Sequence, residues 1–211
     1  MDNSPNISPE IPGGDSTEQR IFDAAHELFV QKGLDGAKMQ EIADRAGINK
    51  ALLHYYYRSK EKLFEMVVKA VINRAFPAIR QLLESDGPLE QKIVRFIDFY
   101  IELISRNTFV PLFIITELNR QPDRFFETIF PKDIPRPEVF FRQVEQEVAL
   151  GNIRPLKPQH LLINIVSLCV FPFVAKPMFR VLLGMSPQEL SQFMSERKEE
   201  VKRFVFQSIK P

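Results

Sequence analysis

Cysteine is all but absent from this chain. Of 211 residues only Cys169 carries a thiol, which excludes an intrachain disulfide and a Cys-rich zinc site. Tryptophan is missing altogether. Net charge is nearly missing too: 28 Lys and Arg face 27 Asp and Glu, so bulk charge favours no partner, and a nucleic-acid surface would have to come from local clustering. No run reaches the about 20 apolar residues that a membrane-spanning helix needs. The uncharged stretch from Leu161 to Ala175 is interrupted by Asn164 and Pro172 and closed by Lys176, and it reads as a buried helix. The opening segment MDNSPNISPEIPGGDS has neither a basic start nor an apolar centre, so it does not read as a signal peptide. Its Pro, Gly, Ser and Asn content predicts a disordered arm over residues 1–15. The cytoplasm is the expected location.

Strand-like alternation is also lacking, and helical spacing recurs throughout, which predicts an all-α fold. Ser16 and Gln19 predict a helix start near Thr17, with Ile21, Ala24, Ala25, Leu28 and Phe29 on one face and Gly33 as its C-terminal cap. Two short helices follow, about Met39 to Ala46 and Asn49 to Tyr56, separated by Gly47. Ser59 caps a long helix from Lys60 that Pro77 is expected to kink or end. After Asp86-Gly87-Pro88, helices are expected over about 89–105, 111–119 and 137–150, with a Pro-rich loop or partial helix over 121–137. Pro158 opens a long apolar helix disturbed at Pro172 and Pro177, and a last helix covers about 187–207.

Two short helices joined by a Gly-containing turn over 39–57 are the pattern of a helix-turn-helix, whose second helix lies in the DNA major groove. Such a helix must be packed behind and polar in front. Leu53 and Tyr57 are expected to face the core, with Lys50, Ala51, His54 and Tyr55 outward. Arg45, Lys50, Arg58, Lys60 and Lys62 supply local positive charge, as phosphate contacts require. Tyr55, Tyr56 and Tyr57 add hydroxyls that can donate to phosphate. Taken alone, the same pattern also describes an ordinary helical corner.

The run RIFDAAHELFVQKGLDGAKMQEIADRAGINKALLHYYYRSKEKLF resembles the N-terminal domain of TetR-type regulators, at matched spacing over roughly a quarter of the chain. The resemblance implies DNA contacts from Lys38, Met39 and Gln40 near the second helix, from Asn49, Lys50, Ala51, His54, Tyr55 and Tyr56 on the recognition helix, and from Lys60. Ala37 and Lys38 replace the usual Thr or Ser pair, so the ordinary cap on the second helix is expected to be absent. The resemblance further implies a three-helix DNA-binding domain, placed at 16–76, and a larger helical domain at 77–211 that binds an effector and dimerises through its last two long helices.

Most of the 19 phenylalanines follow residue 90. Their density predicts a pocket for a small hydrophobic effector, lined by Phe96, Phe99, Tyr100, Phe113, Phe126, Phe140, Phe141 and Phe171, with Glu102, Thr116, Glu117 and Asn164 as polar anchors that favour a neutral or cationic compound. The stripe Leu190, Phe193, Met194, Val201, Phe204 and Val205 is expected at the dimer interface. The histidines are dispersed, and neither a catalytic pair nor a metal motif is legible, so no enzyme activity, metal or cofactor is expected. The expected function is sequence-specific DNA binding as a homodimer on a palindrome-like operator, as a repressor released by its effector. The competing reading is a DNA-binding regulator gated by a protein partner or not gated at all.

Overall fold

The computed structural model describes residues 16–129 and 137–211. The expected arm at 1–15 lies outside the described residues, as does the 130–136 part of the Pro-rich stretch. The described chain is helical, with no strand among the described residues. It divides into two compact units at Val67–Val68, inside a helix and earlier than the 76/77 boundary the sequence suggests.

The first unit holds α1 (Thr17–Gly36), α2 (Met39–Arg45), α3 (Lys50–Tyr56) and the start of α4 (Lys60–Glu84). The Ser16 hydroxyl accepts from the Gln19 backbone at 3.2 Å and starts α1. Gly33, at φ 67°, breaks its regular winding, although helical turns resume to Gly36. Ile21, Phe22, Ala24, Ala25, Leu28 and Phe29 are all buried, as the 3.6-residue period requires. Phe29 meets Phe64 of α4 edge to face, ring centres 4.7 Å apart.

In the second unit, α4 continues to Glu84 through Pro77, so the expected kink or stop does not terminate it. A proline removes one backbone hydrogen bond, and the helix tolerates that loss because buried Ile72, Ala75 and Leu83 flank the position on both sides. The remaining helices are α5 (Leu89–Arg106), α6 (Phe109–Arg120), α7 (Pro122–Thr128), α8 (Glu138–Ala149), α9 (Pro158–Val174), α10 (Lys176–Leu182) and α11 (Pro187–Ile209). Helices α5, α9 and α11 pack on one another around Ile93, Ile97, Ile101, Leu161, Ile165, Cys169, Val201 and Val205. Two ion pairs lock α11 antiparallel to α5: Lys202 with Asp98 and Lys198 with Glu102, both 2.7 Å. Lys92, only 3 % exposed, donates through Nζ to the Leu83 carbonyl at 2.9 Å and so caps the end of α4.

Pro172 sits in the last turn of α9 without ending it, and the break falls at Ala175, where α10 turns away by 73°. A full capping box, Ser186 with Glu189, starts α11. Among the described residues no single helix is long and apolar enough to cross a membrane.

Candidate nucleic-acid interface

The connection between α2 and α3 is a Schellman turn. The Ile48 N–H donates to the Ala43 carbonyl at 3.0 Å, the Gly47 N–H to Asp44 at 3.2 Å, and Gly47 itself takes φ 66°. A side chain at Gly47 would be strained in that conformation, so glycine fixes the angle at which α3 leaves α2. Asn49 then caps α3, its Oδ1 accepting from the Leu52 N–H at 2.8 Å. Behind α3, which packs on α2, Leu53 is fully buried, as are Ile42 and Ala43 of α2. Tyr57 is half-buried, and that burial, with Glu18 nearby, raises its hydroxyl above its ordinary pKa.

The opposite face of α3 is open. Lys50, Ala51, His54 and Tyr55 are exposed, Tyr55 by 83 %, and Tyr56 stands beside it with the two rings edge to face. An 83 %-exposed aromatic ring contributes almost nothing to the unit's own core, so its value lies in what it can touch. Lys38 is exposed at the start of α2, which has no side-chain cap, in line with the missing Thr or Ser pair. Met39 is half-buried. Lys60 opens α4, where the Ser59 hydroxyl accepts from the Lys62 N–H at 3.2 Å, and its Nζ lies 3.4 Å from the Asp35 carbonyl.

Several candidate residues also have a structural role. Asn49 commits its amide oxygen to the cap, and Gln40 donates to Asp44 at 2.7 Å. The basic cluster is thinner than the sequence implies. Arg45 pairs with Glu27 at 3.0 Å and Lys62 with Glu65 at 3.5 Å, leaving Lys50, Arg58 and Lys60 as the cations of the cluster with no carboxylate partner among the described residues. Long-range partners in α1 such as Glu27 cannot be read from local sequence.

The second unit brings only part of the expected pocket inward. Phe96 and Phe140 are buried, and Phe99, Tyr100, Phe113 and Phe141 are partly buried. Burial pushes the Tyr100 hydroxyl up to about 12, and the ring stacks on Phe96 at 5.3 Å. Phe126, Thr116, Asn164 and Phe171 are exposed, so they do not line the interior of this chain. Glu102 is bound by Lys198 and Arg106, each at 2.7 Å, and the Lys198 hydrogen bond holds its carboxyl below the usual range. Glu117 pairs with Arg120 at 3.6 Å. Both carboxylates are thus neutralised within the chain, which removes the basis for preferring a cationic effector. The Cys169 thiol, buried and raised to about 12, is unsuited to nucleophilic or redox work.

The expected dimer stripe needs a correction as well. Leu190, Val201 and Val205 face the chain's own core at 4 %, 0 % and 2 % exposure, so they are not available to a second molecule. Phe193 and Met194 are half-buried, and Phe204, at 59 %, lies on the outer face. One helix carries both an inward and an outward apolar row, and sequence spacing merged them.

A rigid corner of two short helices, packed by Leu53 and presenting a polar, basic and tyrosine-bearing face, defines a DNA-binding protein of the helix-turn-helix class. Residues 21–67 match the family model described as "Bacterial regulatory proteins, tetR family". The chain is 25% identical over 206 residues to the HTH-type transcriptional regulator RutR of Escherichia coli strain K12, covering 92% of this chain and 91% of RutR. It is 29% identical over 94 residues to the HTH-type transcriptional activator FasR of Mycolicibacterium smegmatis, a match spanning 44% of this chain and only 43% of FasR. Among solved structures it shares its fold with the TetR family transcriptional regulator PfmR from Thermus thermophilus, with TM-score 0.59 and 19% identity over 87% of this chain and 97% of that one. The family match thus falls on the N-terminal domain, residues 21–67, and the relatives and structural neighbours named above are HTH-type or TetR-family transcriptional regulators.

Proposed function

We propose that the protein is a homodimeric repressor that reads a palindrome-like operator with α3 and releases it on binding a small, largely apolar effector. Residues 16–76 act as the reading domain and 77–211 as the effector and dimerisation domain. The observation that carries the reading is the two-sided character of α3: Leu53 anchors it from behind while Lys50, Ala51, His54 and Tyr55 stand clear in front. In that frame Lys50, Ala51, His54 and Tyr55 read bases. Lys38, Met39, Gln40, Asn49, Tyr56 and Lys60 position the phosphate backbone. Two-fold symmetry demands half-sites about 34–36 Å apart, or a multiple of that.

Dimerisation uses the outer rows of α9 and α11, with Ile163, Phe171 and Phe204 as its apolar anchors, at 60 %, 54 % and 59 % exposure. The effector reading is supported by the rings of Phe96, Tyr100, Phe140 and Phe141 clustered in the second unit. α4, continuous from Lys60 to Glu84, belongs to both units and is the covalent route by which an effector's preference for one state reaches the reading heads.

Selection of bound duplexes from a random pool tests the reading. A symmetric consensus whose affinity falls steeply with salt is expected. A pool with no enriched sequence, or enriched only in lone half-sites, refutes it. A thermal-shift screen of apolar compounds, followed by operator release, tests the effector. Compounds that stabilise the protein without loosening DNA count against release.

A further inference from the structure

The short helix α10 is the least supported element of the second unit. None of its residues is buried, and α9 is the helix it packs against. Yet its surface is apolar: Val181 is 78 % exposed, Leu182 69 %, Leu183 53 % and Met178 44 %. Side chains of this kind, side by side in solvent on a monomer, mark a surface that something covers. The helix also turns away from α9 by 73° rather than folding back along it.

We propose that α10 is an arm that lies on a second copy of this chain, extending the dimer beyond the α9 and α11 faces. The inference rests on the homodimer reading above. Continuity supports it. The outer row of α9 runs through Ile163, Asn164 and Ser167 to Phe171, and the Phe171 ring meets Phe179 of α10 edge to face at 5.7 Å, so one apolar surface passes from α9 onto the arm.

The need for area supports it as well. The outer row of α11 is largely Glu196, Glu199, Glu200, Arg203 and Gln207 around Phe204, a poor apolar core for a permanent dimer, whose interfaces are large and apolar. The arm supplies the missing hydrophobic area. Charge fits too: among the described residues Lys176 and Arg180 of α10 pair with no carboxylate, and Glu196 of α11 pairs with no cation. These opposite charges are therefore left to pair across two copies.

The test uses the full chain. Sedimentation should show Val181→Asp with Leu182→Asp weakening the dimer by roughly 100-fold or more, with helicity unchanged, because two largely exposed apolar side chains contribute little to the monomer. In parallel, Val181→Cys is labelled with a benzophenone maleimide. The native Cys169 is buried and does not compete, so illumination should join two copies at concentrations where the dimer forms.

Ile163→Asp with Phe204→Asp probes the α9 and α11 faces separately. A wild-type chain that sediments as a monomer overturns the homodimer reading and the arm with it. A wild-type dimer of undiminished strength in the Val181/Leu182 variant, with no intercopy crosslink, overturns the arm alone. Wild-type binding to anionic lipid vesicles that the same variant abolishes, with the dimer intact, assigns the surface to a membrane and also overturns it.

Discussion

Lys50→Ala should move folding stability and operator affinity in opposite directions. Lys50 is the first residue of α3, and no acidic side chain occupies that first turn. A positive charge at a helix N-terminus opposes the exposed N–H groups and costs about 0.3–1 kcal/mol at a surface site. Alanine removes that cost and adds a few tenths of a kcal/mol of helix propensity. The Asn49 cap is untouched, because its acceptor bond comes from the backbone of Leu52. The free protein should therefore melt higher by a few degrees at most, at about 2–4 °C per kcal/mol for a chain of this size. On DNA, a lost base contact costs about 1–3 kcal/mol per half-site. Two half-sites make about 2–6 kcal/mol, or roughly 30-fold to 10⁴-fold in affinity. Differential scanning fluorimetry and fluorescence anisotropy measure the two effects. A lower melting point, or operator binding equal to wild type, would show that Lys50 is a structural residue and that the outward face of α3 is misassigned. Lys60→Ala is the comparator: it should weaken every sequence alike and reduce the salt slope by about one per half-site, about two for the dimer.

Leu53→Ala should cost about 2–5 kcal/mol of stability, since the side chain is fully buried and its removal leaves a cavity behind the recognition helix; a denaturation midpoint within error of wild type would contradict the packing. Lys92→Met should destabilise by about 1–3 kcal/mol, because it keeps the apolar stem but orphans the Leu83 carbonyl at the end of α4, and Lys92→Arg should recover part of the loss. Stability should also fall in acid through Glu102. Its carboxyl is held below its ordinary 4.5 by the hydrogen bond from Lys198 and the neighbouring Arg106, so its contribution is full above 4.5 and fades as pH falls through the lower folded value. Glu102→Gln should flatten that limb of a urea-midpoint-against-pH curve, and an unchanged limb would place the acid sensitivity elsewhere.

The sequence by itself determined the helix-turn-helix corner. Gly47, the Ala-rich face of α1, Ile42 with Ala43, and Leu53 sit at helical spacing within a short stretch. Their contacts are set by the 3.6-residue period and by turns a glycine alone accommodates, so local rules suffice. The helix bounds followed for the same reason, with α2, α3 and α5 within a residue or so of their expected ends. Tertiary structure decided what depends on partners distant in the chain. It bound Arg45 to Glu27, and Glu102 to Lys198 across α5 and α11, turning apparent DNA and effector groups into internal ion pairs. It set Leu190, Val201 and Val205 inside and Phe204 outside, a division that two apolar rows on one helix do not reveal. It also carried α4 through Pro77, where neighbouring buried side chains outweigh one missing hydrogen bond. It made α10 a separate, unburied helix beyond the bend at Ala175, because two prolines close together disturb a helix without fixing where the chain goes next.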